Sequence, residues 1–325
     1  MLLAVSLLHP VGPSVFSTFS VHPSTVIGIA ALAALYWWRA RVGAARDAGC
    51  GMRDAEPLSE AGSPPREPVA SRIPHPASRP TSGQIACFVA GLLVLFLSLN
   101  GPLHDLSDDY LFSAHMVQHL LLTMLVPPLL IAGIPGWMLR PSLRVPGVFA
   151  VARRISTGAA AFVIFSVTMI GWHVPPLYNL AMTHHPVHIV EHLCFLVAAT
   201  IMWWPIMGSL PELPRLSYPG QLLYVFLLMI PMLIISIFIT YADTVLYPFY
   251  AQAPRIWPIT ALQDQRLGGL IMWIPGGLIY ISVLSVIFFK WVARGAEDGT
   301  AEAQVDWNPA PLRAAAGTSV PADRP

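Results

Sequence analysis

The chain has 325 residues, of which 55% are hydrophobic and only 11% are charged, against roughly 25% charged in a soluble domain. So little charge could not cover a soluble surface, which argues against a soluble enzyme, and a net charge of +1 argues against a nucleic-acid binder. Three cysteines (Cys50, Cys87, Cys194), none in a CxxC pair, exclude a disulfide scaffold and a cysteine-rich zinc module. What remains is an all-α integral membrane protein with 11 histidines.

A membrane-spanning helix needs about 20 mostly apolar residues. Such runs are predicted at 18–38, 84–100, 114–139, 158–180, 186–208, 219–241 and 267–289, a bundle of about seven helices. The apolar start MLLAVSLLHP has no Lys or Arg before it, so it lacks the basic region of a signal peptide. The loops set the orientation. Sixteen of the 18 basic residues fall in 39–83, in 140–157, near 215 and after the last run, whereas only Arg255 and Arg266 fall on the other side. The positive-inside rule then predicts an outer N-terminus and a cytoplasmic C-terminus. Six of the acids, Asp105, Asp108, Asp109, Glu191, Asp243 and Asp264, gather at the outer side. They would draw cations there, or are only the complement of the basic bias.

The expected organisation is an outer segment and first span over 1–38, then a flexible Arg/Pro-rich cytoplasmic linker over 39–83. A six-helix membrane core over 84–290 and a disordered cytoplasmic tail over 291–325 complete it. Prolines inside the runs (Pro127, Pro128, Pro135, Pro175, Pro176, Pro205, Pro231, Pro275) predict kinks or breaks. Trp37, Trp38, Trp203, Trp204 and Trp291 are expected as interface anchors.

Against that topology ten histidines lie at the outer side, and only His75 lies in the linker. His9 and His22 precede the first core helix, His104 falls in an outer loop, and His184 and His185 fall in another. His115-x-x-x-His119 opens the third run, His173 closes the fourth, and His188-x-x-x-His192 opens the fifth. Four residues turn a helix by about 400°, so each pair shares a face and can hold one metal ion with further ligands from other helices. A single such pair is as well explained by headgroup contact; two pairs and His173 at one depth favour a site, because polar groups in a membrane are costly. Glu191 is the one carboxylate inside a predicted run, and it would ligate metal or orient an imidazole. Met116 offers a soft thioether that suits Cu(I), although most methionines only pack. Cys194, two residues past His192, points away from it.

Four strings in order, HMVQHLLLTMLVPPLLIAGIP (115–135), WHVPPLYNLAM (172–182), HIVEHLCF (188–195) and DQRLGGLIMWIPGG (264–277), resemble the CtaG family. These are multi-span assembly factors of caa(3)-type cytochrome c oxidase, distinct from the single-span copper chaperone of the same name. The resemblance covers about residues 85–290. It implies a role in maturing heme–copper oxidases in the bacterial cytoplasmic (inner) membrane. Copper, bound transiently, would pass from the outer side to the oxidase catalytic subunit after receipt from an outer-face copper donor. The partners implied are that subunit and the lipid bilayer, with no nucleic acid and no enzymatic turnover. The family's histidine motifs fall on His115, His119, His173, His188 and His192, and its acidic motif on Asp264.

Three other readings stay open. HIVEH matches the inverted zinc-protease pattern H-x-x-E-H, which would make a membrane metallohydrolase. Paired histidines on facing helices can ligate heme iron. A metal-free scaffold for oxidase assembly needs no ligand at all.

Overall fold

The computed structural model describes residues 4–6, 18–53 and 79–306, with side chains over 19–43 and 79–295. Two short strands, β1 (Ala4–Ser6) and β2 (Thr18–Ser20), pair in parallel. Helices follow: α1 (Pro23–Arg53), α2 (Ser82–Ser98), α3 (Pro102–Asp109) and α4 (Phe112–Leu120). A π segment (Leu121–Leu125) leads into α5 (Val126–Gly133), then α6 (Gly136–Leu143), α7 (Pro146–Ile155) and α8 (Gly158–His173). The chain continues through α9 (Pro175–Thr183), α10 (His185–Met207), α11 (Tyr218–Thr240), α12 (Pro248–Gln252) and α13 (Ala261–Asp306).

The protein is all-α and multi-pass. Among the described residues four helical stretches are long and apolar enough to cross a membrane: Phe112–Gly133, His185–Met207, Tyr218–Thr240 and Ala261–Gly295. Counting as one span each of two bent pairs, α2 with α3 (43°) and α7 with α8 (78°), gives six. The predicted count of seven is thus not reached. Its first run (18–38) opens on β2, and α1 carries Tyr36, Trp37, Trp38 and Arg39 where further apolar residues would be needed. Large apolar side chains such as Val163, Val167, Leu193, Val197, Leu223 and Phe238 face outward from α8, α10 and α11. In water these would be a liability; against lipid they are the expected surface.

Two predicted boundaries move. Helix α1 runs to Arg53, into the expected linker, and α13 runs to Asp306, into the expected tail. The first extension is rich in Ala and Arg and the second in Ala with Glu and Gln, all of which favour helix over coil. Residues 54–78 and 307–325, with His75, lie outside the described residues, as does His9.

The prolines act locally, as their chemistry requires. Pro135 separates α5 from α6, and Pro175 separates α8 from α9. Pro127 and Pro128 lack the N–H groups that would close the preceding turn, and the chain widens into the π segment there, with Val126 N–H bonding to Leu121 O. The carbonyl of Thr123, left without its Pro127 partner, accepts from Trp203 Nε1 of α10 at 2.9 Å. Trp203 is therefore buried in the core and is not an interface anchor; Trp37, Trp38 and Trp291 are exposed.

Close helix approach depends on small residues. A Cβ at Gly133 would lie 2.5 Å from the backbone nitrogen of Phe88 on α2, and one at Gly269 would lie 2.9 Å from that of Thr240 on α11. Gly133→Ala is expected to lower thermal stability in detergent by about 1–3 kcal/mol, since backbone cannot give way. Gly277→Ala, at a mid-helix position with nothing within 4 Å, is expected to be neutral or to stabilise by up to about 1 kcal/mol.

Candidate metal centre

Helix α4 packs against α13 and α3, the π segment that continues it packs against α10, and α4 carries the first histidine pair inward. Its start is fixed from another helix. Leu111 offers no side-chain cap, and Asp264 of α13 supplies one: its Oδ2 accepts from Phe112 N (2.8 Å) and its Oδ1 from Ser113 N (3.1 Å) and Ser113 Oγ (2.5 Å). A carboxylate is favoured at a helix start by the free N–H groups and the dipole. Arg255 Nη1 adds an ion-pair contact at 3.9 Å.

From this anchored start His115 and His119 project on one face, with Nε2 atoms 2.8 Å apart. Two nitrogens bound at about 2.0 Å to one tetrahedral ion sit about 3 Å apart, so this separation suits either a hydrogen bond or a shared cation. Helix α10 brings His188, Glu191 and His192 against them. The His115 ring is 5.4 Å from that of His188 and 5.8 Å from that of His192, and His119 is 5.7 Å from His192. Glu191 Oε1 lies 3.8 Å from His119 Nε2, and its Oε2 lies 4.0 Å from His188 Nε2. His173, ending α8, stands 5.8 Å from His119 between ring centres. All six side chains are buried.

Two triads have their donor atoms within 4.8 Å of one another: His115 with His188 and His192, and His115 with His119 and Glu191. His115 belongs to both.

Three imidazoles are held by their Nδ1 atoms. Tyr250 donates to Ser107 O at 2.6 Å, and burial pushes its phenol well above the ordinary value, so the hydroxyl keeps that proton. Its oxygen is left to accept from Tyr178 at 3.2 Å and from His115 Nδ1–H at 3.3 Å. His188 Nδ1 reaches Asp108 Oδ2 at 3.2 Å, and His173 Nδ1 donates to Met169 O at 2.7 Å. With Nδ1–H engaged, a neutral imidazole carries its lone pair on Nε2, the arrangement that orients metal-binding histidines. His119 Nδ1, the Nε2 atoms of His173, His188 and His192, and both oxygens of Glu191 are buried with no hydrogen-bond partner. Buried polar groups are rarely left so. His119, His188, Glu191 and His192 are also the residues that complete the two triads with His115, so these triads form a donor set suited to a cation.

Two predicted ligands fall elsewhere. Asp264 commits its carboxylate to the start of α4, and Met116 packs toward α13, where a Cβ on Gly268 would meet its Cγ at 3.1 Å. Sequence reasoning missed Asp108. Its segment was read as an outer loop but folds as α3, burying His104, Asp105, Ser107 and Asp108 against α4. Asp108 Oδ1 lies 3.3 Å from His104 Nδ1, so one carboxylate joins His104 to His188. The His104-x-x-x-Asp108 spacing was the available signal, the same four-residue step as in the histidine pairs.

The sequence model of the family described as cytochrome c oxidase caa3 assembly factor matches residues 69–294. Uncharacterized proteins of Mycobacterium bovis and Mycobacterium tuberculosis are each 29% identical over 200 residues, covering 57% of this chain and 30% of theirs. An uncharacterized protein of Mycobacterium leprae is 23% identical over 228 residues, covering 65% of this chain and 34% of its own length. The chain thus spans about a third of the curated relatives it matches. No solved structure matches.

Asp264→Ala is expected to lower stability by about 1–2 kcal/mol through loss of the α4 cap. Met116→Leu keeps volume and is expected to cost less than about 1.5 kcal/mol. Thermal melts of both variants in one detergent check the ordering.

Proposed function

The chain belongs to the cytochrome c oxidase caa3 assembly factor family, and from that membership we propose that it carries copper to a heme–copper oxidase during assembly. Copper is the cargo, bound by the buried cluster of His115, His119, His188, His192 and Glu191, with His173 alongside. The recipient is the oxidase catalytic subunit. The setting is the bacterial cytoplasmic membrane; with α1 taken as a seventh span beside the six, the N-terminus and the histidine end lie outside and the C-terminus lies in the cytoplasm. Such a role makes and breaks only coordination bonds, so the protein is not an enzyme in this reading.

The observation that carries it is the pair of buried triads that share His115, each with its donor atoms within 4.8 Å of one another, with the Nε2 atoms of His188 and His192 and both Glu191 oxygens left without hydrogen-bond partners. Imidazole nitrogen suits copper, and a carboxylate beside it offsets the cation's charge in a medium of low polarity. The Nδ1 partners Tyr250, Asp108 and Met169 O pre-orient three rings, which lowers the ordering cost of binding. The basic residues of α6 and α7 support the orientation: Arg140, Arg144, Arg153 and Arg154 lie at the opposite ends of the helices from the histidines.

Copper analysis of detergent-purified protein tests the reading. Wild type is expected to retain copper, and His119→Ala/His192→Ala is expected to lose it and to fail in supporting oxidase assembly in cells. Copper-free wild type, or a double variant that still matures the oxidase, would instead make the protein a scaffold. An imidazole must be unprotonated to ligate. Copper affinity is therefore expected to weaken on acidification, read by competition with a chelator of known affinity.

A further inference from the structure

Three histidines outside the cluster share one cavity with it. A space of about 330 Å³ lies between α1, α2, the π segment and α10. Its wall is mostly apolar, with Ile29, Leu95, Leu122 and Leu196. At its polar end are five imidazoles, those of His22, His104, His185, His188 and His192. His185 begins α10 and is exposed, His22 precedes α1 and is half-buried, and His104 is buried on α3.

The rings form a series. Between centres, His185 to His22 is 6.2 Å, His22 to His104 is 4.3 Å, His104 to His188 is 6.3 Å, and His188 to His192 is 4.2 Å. A ring nitrogen lies about 1 Å from its ring centre and binds a metal at about 2.0 Å, so two imidazoles can share one ion out to a separation of about 6 Å. Every step in the series falls at or near that reach. An ion can therefore exchange one ligand at a time without passing free through the apolar part of the cavity. Asp108, bridging His104 and His188, places a carboxylate at the longest step.

The framework at this end is fixed by bonds that leave those imidazoles on the cavity wall. His22 N–H donates to Asn100 Oδ1 at 2.7 Å, Gly101 N–H to Ser20 O at 2.9 Å, and Ser20 Oγ to Asp105 Oδ1 at 2.5 Å. Gly101, at φ 70°, makes the turn that permits this.

We propose that His185, His22 and His104 form a loading path that admits copper from the outer face to the buried cluster. This rests on the copper reading above. The path governs how fast the cluster fills, whereas the cluster's own ligands govern how much it holds.

Stopped-flow loading of the full-length protein in detergent tests it, with Cu(I) buffered by a weak chelator under argon. His185→Ala changes an exposed side chain, and His22→Gln keeps the backbone bond to Asn100, so both variants can be checked for an unaltered melting temperature. Each is expected to load about tenfold more slowly or worse while reaching the wild-type copper content. Loading at the wild-type rate overturns the path and leaves the buried site standing. A lower final copper content overturns the loading role as well, because it makes these residues ligands of the resting site. A wild type that takes up no copper overturns both readings.

Discussion

The carboxylate of Asp264 joins the start of α4 to α13, and much of the histidine end depends on that junction. An uncapped helix start leaves N–H groups with no water to bond in a low-polarity interior, each at a cost of several kcal/mol. Two of those groups and the Ser113 hydroxyl are satisfied by one side chain from a helix far along the chain. The depth and rotation of α4 are set in that way, and with them the position of His115 and His119 relative to α10.

The same requirement, that no buried polar backbone group be left alone, explains the irregular middle of the Phe112–Gly133 span. The Pro127–Pro128 pair removes two donors, the helix widens, and Trp203 supplies a donor to Thr123 O from outside. The side-chain polar groups of the histidine cluster are the contrast. The Nδ1 atoms of His115, His173 and His188 are bonded, but the Nε2 atoms of His173, His188 and His192 and both oxygens of Glu191 are not. A chain that satisfies its backbone from across the bundle but leaves buried imidazole and carboxylate donors unbonded beside one another has left room for something with positive charge.

Much of this was legible in the sequence. Apolar runs located α2, α10 and α11 closely, because hydrocarbon length leaves little freedom in where such a helix starts and stops, whereas the run at 158–180 is broken at Pro175 into α8 and α9. The four-residue spacing placed each histidine pair on one face, and the structure brings both pairs together. What a linear reading could not supply is rotation. Met116 is one position beyond His115, a turn of about 100°, and that is enough to direct it to α13. Asp264 shares the outer depth of the cluster but is used by backbone amides, and depth alone does not distinguish the two uses. Helix α3 has only eight residues and a polar composition, so hydropathy gave no sign that it would fold inward with Asp108.

The bond from Trp203 Nε1 to Thr123 O has a mechanical side. Thr123 is one turn beyond His119 on the same span, and its hydroxyl donates to His119 O at 2.7 Å. Trp203 is on the helix that carries His188 and His192. The two ligand-bearing helices are thus pinned to each other just below the cluster, and neither can slide or roll without breaking a buried bond. Any change in how the donor atoms surround an ion must then come from ring rotation about χ angles, which makes the centre a rigid socket with swivelling contacts.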